Sequence, residues 1–199
     1  KAQTYGNEWI EYSQQYFHFP IYNTGIHRIN YADLNTSLSN NGVLISNINT
    51  DNFQIFGRES QVFIDVVDGG DNTMGPGDYI EFYAEKNDGW LDGKLYDSAQ
   101  AQPDQYYSLF NDTLQYYFTW NNTGGNKRIY QETVVNYAAY TSIDYCWKKN
   151  YVNYSDQYNE GPKYQDVSSP VYSLGEGYAS YPYTKGGSNN TAIPTQNAY

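Results

Sequence analysis

The chain has 199 residues, which is enough for one domain with a sizeable core. Its formal net charge of −11 repels phosphate backbones and anionic membrane surfaces, so nucleic acid is not an expected partner. The single cysteine, Cys146, excludes an internal disulfide. No apolar run reaches the roughly 18 residues that a membrane-spanning helix needs.

Aromatic residues make up 19% of the chain, including 25 tyrosines, and they favour strands, where a wide ring fits a half-buried pleated surface. Asn, Gly, Ser and Asp crowd between the apolar runs and supply turns. The composition therefore predicts an all-β fold, either a β-sandwich or two small antiparallel sheets.

Residues 16–22 alternate between two faces, which predicts a strand, and residues 26–29 follow a short turn as a return strand. We expect the two strands to form a hairpin. Pro20 cannot donate a ladder hydrogen bond, so the first strand is expected at an edge or to end there. The one short helix of the fold is predicted at Tyr31–Leu38, after a capping Asn30.

Residues 53–56 predict a short strand that Gly57 stops. Residues 62–97 then form the most organised stretch of the chain. An apolar run leads into an Asp/Gly-rich loop, a second run at residues 79–84 follows, and a polar turn closes the stretch. We expect a hairpin that carries an acidic loop at its tip.

Residues 106–120 predict another hairpin around the turn 111–113, and residues 128–140 and 141–147 predict further strands. A helix over residues 131–145 is the alternative, which β-branched Thr and Val disfavour. The predicted organisation is an N-terminal segment (1–15), a β-rich domain (16–178), and an extended or poorly ordered tail (179–199) that leads to a further domain.

The acidic loop is the strongest candidate for a metal site. Asp68, Asp71 and Asp78 supply carboxylates, and the intervening glycines free the backbone to turn carbonyls inward, as calcium binding requires. The loop does not follow the EF-hand spacing. The alternative is a solvated hairpin loop whose Asp side chains cap their own backbone. No cofactor is expected to be required, and calcium is the candidate ion.

Trp90 and Tyr83 are candidate ligand-binding residues, because an aromatic platform beside Asp and Asn acceptors suits a sugar. The alternative is a turn in which Trp90 packs on the sheet. Cys146 with His18 or His27 would make a catalytic dyad if they met in space, but the alternative of a small core cysteine is favoured. We therefore predict no catalytic residue.

Several segments of the chain form specific motifs: GIHRI (25–29), NFQIFG (52–57), GDYIEFY (77–83), NDGWLD (87–92), YYSLFNDT (106–113), YFTWN (117–121) and GEGY (175–178). Together these segments resemble one family, the PorU-type gingipain-like cysteine peptidases of Bacteroidetes, which are linked to the type IX secretion system. In the last segment Tyr178 stands where the family has Trp.

The resemblance implies that the chain is the N-terminal, non-catalytic β-region of a longer secreted peptidase, acting as a scaffold, docking or partner-binding module. Its partners would be the downstream peptidase domain or a component of the secretion system. The alternative is a stand-alone secreted module that binds glycans or surface proteins. Ala2, before Gln3, resembles the small residue at a signal-peptide cleavage point, which predicts export to the periplasm, outer membrane or cell surface; a chance boundary is the alternative.

Overall fold

A computed structural model describes residues 6–102, 106–108, 110–130, 138, 141–142, 144–145, 154, 156–168, 172–173 and 176–179. The chain divides into two compact units, and each is described by itself. Unit 1 comprises Lys1–Asn87 and Asn111–Glu132, and unit 2 comprises Asp88–Phe110 and Thr133–Tyr199. The sequence-based boundaries at 15/16 and 178/179 stay predictions.

Unit 1 contains two antiparallel sheets and the one α-helix of the described residues. Its elements are β1 (Phe17–Ile21), β2 (Gly25–Asn30), α1 (Tyr31–Ser39), β3 (Phe53–Gly57), β4 (Ser60–Gln61), β5 (Ile64–Val67), β6 (Tyr79–Ala84) and β7 (Leu114–Trp120). One sheet has the order β1-β7-β3-β4, and the other has the order β2-β6-β5. The prediction of a mostly β fold with one short helix is confirmed.

The core of unit 1 lies between its two sheets. The rings of Phe19 and Phe82, one from each sheet, are 5.8 Å apart, and those of Phe53 and Phe118 are 5.1 Å apart. The helix α1 adds Leu38, which is fully buried. Burying these large side chains supplies the main driving force for the unit, because apolar surface leaves water.

Unit 2 has little regular structure among its described residues. It contains β8 (Gln157–Asn159), β9 (Lys163–Tyr164), β10 (Val167–Ser168) and β11 (Gly177–Ala179), which pair antiparallel as β8-β11 and β9-β10. The rings of Tyr158 and Tyr178 meet at 5.3 Å, and the Tyr158 hydroxyl donates to Glu176 Oε1 at 2.8 Å. Desolvation, together with this carboxylate, raises the pKa of Tyr158 above its ordinary value.

The predicted hairpin of residues 16–22 and 26–29 is wrong, because its two strands join different sheets. Strand β1 pairs with β7, from Phe17 opposite Phe118 to Ile21 opposite Leu114, and β2 pairs with β6. A local hairpin closes a shorter loop, but the distant partners are longer apolar strands that bury more surface. Pro20 does lie on an edge strand, as predicted.

The predicted hairpin of residues 106–120 is also wrong. Strand β7 forms as expected, but β1 occupies one of its edges and β3 the other. The described residues of 106–110 form no strand, and the boundary between the units falls between Phe110 and Asn111. Both hydrogen-bonding edges of β7 are therefore used within unit 1, which leaves none for the preceding segment.

The other local predictions agree with the structure. Asn30 precedes α1, although its side chain makes no capping hydrogen bond, and the first helical N–H, of Tyr31, donates instead to the carbonyl of Asp78 at 2.9 Å. Strands β5 and β6 form the expected hairpin. The strands predicted at 128–140 and 141–147 and the tail 179–199 fall mostly outside the described residues. None of the helices in the described part of the chain is long and apolar enough to cross a membrane.

Candidate functional site

The acidic loop between β5 and β6 uses its carboxylates to hold its own backbone. Asp68 Oδ1 accepts from the N–H of Gly70 at 2.9 Å, and its other oxygen accepts from the buried hydroxyl of Thr50. Asp78 Oδ2 accepts from the N–H of Gly75 at 2.6 Å. These bonds match the capping alternative, in which Asp side chains satisfy nearby donors.

Asp71 behaves in the same way. Its Oδ1 accepts from the hydroxyl of Thr73 at 2.7 Å and from the Thr73 N–H at 2.9 Å, and these bonds lower the pKa of Asp71 below its ordinary value. Within the described ranges, no three His, Cys, Asp or Glu side chains gather into a group that could hold a metal ion. Calcium binding by Asp68, Asp71 and Asp78 stays a prediction.

Tyr83 lies on the outer face of the sheet β2-β6-β5, directly opposite Ile26. The exposed fractions of the two side chains are 49% for Tyr83 and 67% for Ile26. Two residue pairs further along, on the same face, Arg28 bonds to Glu81 Oε1 at 2.7 Å and lies 3.8 Å from the centre of the Tyr79 ring. The face is therefore partly apolar and partly charged.

Trp90 belongs to unit 2, in the turn that follows β6. The backbone N–H of Trp90 donates to Asp88 Oδ1 at 3.2 Å, and the amine of Lys94 lies 6.0 Å from the centre of its half-buried ring. Asp92 is buried, and one of its oxygens accepts from the hydroxyl of Ser108 at 3.4 Å. These contacts are those of a structured turn. Trp90 belongs to unit 2, whereas Tyr83 belongs to unit 1.

The two histidines lie in different sheets. His18 in β1 contacts Gln115 Oε1 at 3.2 Å through Nδ1. His27 in β2 contacts the carbonyl of Asn23 at 2.8 Å through Nε2, and its ring stacks on Phe82. Cys146 lies outside the described residues, so the dyad interpretation has no geometric support.

A cleft that the sequence did not reveal opens at one margin of unit 1, where the edge strands β1 and β2 meet the helix α1. Its volume is about 750 Å³. Its lining comprises Gln15, Tyr16, Phe17, His18, Phe19, Arg28, Ile29, Asp33, Leu34, Ser37, Asn40, Asn41 and Phe118. We name it the edge cleft. The sequence did not predict this cleft, because the hairpin that it suggested would pair β1 with β2 and close this margin.

The edge cleft has an apolar floor and a polar rim. Leu34 and Phe118 are buried at its base, whereas Asp33 is exposed in the first turn of α1. The hydrogen bond with Glu81 raises the pKa of Arg28, which keeps this rim residue cationic and paired. Among the described residues Asp33 forms no ion pair, so the rim offers one unpaired negative charge.

Among the described residues neither the metal candidates nor the aromatic candidates converge on one reactive centre, whereas the edge cleft combines an apolar floor with a polar rim. Comparison of the chain with protein-family models, with curated proteins and with solved structures finds no match.

Proposed function

We propose that this chain is a non-catalytic, exported β-module that holds a segment of a partner protein in the edge cleft. The observation that carries this proposal is the position of the cleft, where both sheets of unit 1 present an edge strand beside an apolar floor. Apolar clefts of this size, with a few polar groups at the rim, are the usual form of a binding site.

The mode of binding follows from Pro20. A proline is tolerated in a strand where its nitrogen points away from the ladder, so position 20 faces the open edge of β1 and offers no donor there. Long β-addition of a partner strand is therefore disfavoured. The partner is held mainly by apolar side chains that enter the cleft over Leu34 and Phe118.

Electrostatics further restricts the kind of segment that the cleft can bind. The chain has a formal net charge of −11, and Asp33 adds a negative charge at the rim of the cleft. An apolar anchor followed by Lys or Arg fits this arrangement, since opposite charges steer association and set the register of the bound segment.

The resemblance to PorU-type gingipain-like peptidases suggests which partner this is. In that setting the module is the N-terminal region of a longer secreted protein, at the periplasm, outer membrane or cell surface. Its partner is then the downstream peptidase domain or a component of the secretion system. The motif segment NFQIFG contains the strand β3, and GDYIEFY contains all of β6 except Ala84, so part of the resemblance rests on residues that build unit 1.

A blocking substitution tests the docking proposal. Ser37 is exposed and lines the cleft, so Ser37→Trp fills it without removing a core side chain. Binding of a separately expressed PorU-type peptidase domain, the proposed partner, is measured by calorimetry. We expect Ser37→Trp to weaken it at least about tenfold, a loss of roughly 1.4 kcal/mol. Thr36→Trp, an exposed neighbour outside the cleft lining, is the matched control and should bind like the wild type.

Equal affinity of the two variants would contradict docking in this cleft. The non-catalytic part of the proposal has its own test, in which the purified chain is assayed against peptide substrates with and without a thiol-alkylating reagent. Cleavage that the reagent abolishes would show that the chain is a cysteine peptidase.

A second candidate function is glycan or surface-protein binding through Tyr83 and Trp90, which the 49% exposure of Tyr83 favours. A glycan array probed with the wild type, Tyr83→Ala and Trp90→Ala separates it from docking. If both variants retain the glycan-array signal of the wild type, binding through Tyr83 and Trp90 is ruled out.

A further inference from the structure

A second, polar cleft lies in unit 1 between the segment that leads into β1 and the end of β7. Its volume is about 580 Å³. Its lining comprises Glu11, Ser13, Gln14, Gln15, Trp120, Asn121, Asn122 and Thr123. We name it the amide cleft, because four of its eight lining residues carry side-chain amides.

The fold holds one wall of the amide cleft in place before any ligand arrives. The carbonyl of Gln15 accepts from the buried hydroxyl of Thr119 at 2.7 Å, and the N–H of Glu11 donates to the hydroxyl of Tyr16 at 2.9 Å. Further back, Trp9 packs on Phe56 with ring centres 5.2 Å apart. This irregular segment is thereby fixed against the sheet.

The opposite wall is fixed by amide pairing. Asn121 and Asn126 exchange side-chain hydrogen bonds of 3.0 and 3.1 Å, and the N–H of Asn121 donates to the carbonyl of Asn52 at 3.0 Å. A site whose walls are already ordered loses less conformational entropy when it binds a ligand. The amide cleft is therefore a preformed site.

The lining combines one aromatic platform with unused hydrogen-bonding groups. The half-buried ring of Trp120 stacks on Phe17 with ring centres 6.1 Å apart, and Trp120 is the one aromatic residue among the described residues that line the cleft. In the part of the chain that the structure describes, the side chains of Gln15, Asn122 and Thr123 make no hydrogen bond. Amides both donate and accept, and so does a hydroxyl.

These groups select a class of ligand. Among the described residues, the lining contains no Lys, Arg or His, and its one charge is the carboxylate of Glu11, whose Oε1 already accepts from the hydroxyl of Ser13 at 3.0 Å. An anionic ligand would find no counter-charge there. A neutral ligand with many hydroxyl groups and a flat apolar C–H face matches both the amides and the indole.

We propose that the amide cleft binds a neutral carbohydrate, with Trp120 as the stacking platform and Gln15, Asn122 and Thr123 as hydrogen-bonding partners of the sugar hydroxyls. This site shares Gln15 with the lining of the edge cleft, and it does not include Tyr83 or Trp90. The sequence alone does not reveal this site, because Trp120 lies at the end of an apolar strand and the amides lie in irregular segments that are distant in the sequence.

The test uses the full chain and an array of neutral oligosaccharides, followed by calorimetry with the strongest hit. Asn122→Ala and Gln15→Ala remove hydrogen-bonding groups from exposed or irregular positions, and melting curves check that both variants fold. We expect each to weaken binding about tenfold, because truncating one partner of a bound polar group loses the bond and leaves the other partner unsatisfied.

Three controls separate the outcomes. Tyr83→Ala and Ser37→Trp should bind the sugar like the wild type, whereas Trp120→Phe should retain part of the affinity. Absence of any neutral oligosaccharide binding at millimolar concentration would overturn the proposal. Binding that Asn122→Ala and Gln15→Ala leave intact but Tyr83→Ala abolishes would also overturn it, since the sugar would then occupy the outer sheet face.

Discussion

Gly57, the last residue of β3, has no room for a side chain. A Cβ atom built at this position would lie 2.1 Å from Cε1 of Tyr116, whereas carbon atoms pack at about 3.5–4.0 Å. Tyr116 cannot move freely, because it is buried and its hydroxyl accepts from the N–H of Glu85 at 3.0 Å. The substitution Gly57→Ala must therefore displace a fixed ring.

The expected cost has two parts. Forcing extra volume into a packed core costs about 1–3 kcal/mol, and loss of the bond between Glu85 and Tyr116 adds about 1 kcal/mol. We expect Gly57→Ala to lower the free energy of unfolding by about 2–4 kcal/mol. For a chain of this size that corresponds to a fall in Tm of roughly 5–15 °C.

The measurement is urea denaturation followed by circular dichroism. Gly75→Ala is the matched control, because its Cβ would meet Asp78 Oδ2 at 3.5 Å, an ordinary contact. In a Tyr116→Leu background the ring is gone, so Gly57→Ala should cost less than it does alone, since the effects of contacting residues are not additive. Equal midpoints for Gly57→Ala and Gly75→Ala would refute the steric reasoning.

Three further outcomes are expected. Arg128 donates to the carbonyls of Thr50, Asp51 and Phe53 at 2.8–3.1 Å. Arg128→Met should therefore lower the free energy of unfolding, measured by urea denaturation, by about 2–4 kcal/mol. Arg128→Lys lacks the planar guanidinium and should restore less than half of that loss. Desolvation, aided by Glu176, raises the pKa of Tyr96 to about 12. The stability that this residue contributes is therefore complete below about pH 10 and is lost as the pH rises through 12. In thermal unfolding at alkaline pH, Tyr96→Phe should not show this fall in Tm. A chelator should leave the Tm unchanged, because the carboxylates of the acidic loop already accept hydrogen bonds, whereas a rise in Tm with millimolar calcium would assign a cation to the loop.

Short-range chemistry determined much of the local structure. The alternation in residues 79–84 is that of β6, and Ile80, Phe82 and Ala84 are all fully or almost fully buried. The helix begins directly after Asn30, as predicted, although the Asn30 side chain makes no capping hydrogen bond. These features depend on the conformational preferences and side-chain period of a few consecutive residues, which a sequence displays directly.

Tertiary structure decided the strand partners and therefore both clefts. No local pattern shows that Phe17 lies opposite Phe118 or that Ile26 lies opposite Tyr83, because pairing depends on the total surface that competing arrangements bury. The edge cleft exists because β1 and β2 part into separate sheets. The amide cleft exists because the chain before β1 returns to the end of β7, about a hundred residues later in the sequence. Residue types identified candidate aromatic and acidic side chains in isolation, and only the packing of distant strands determined which of them share a cavity.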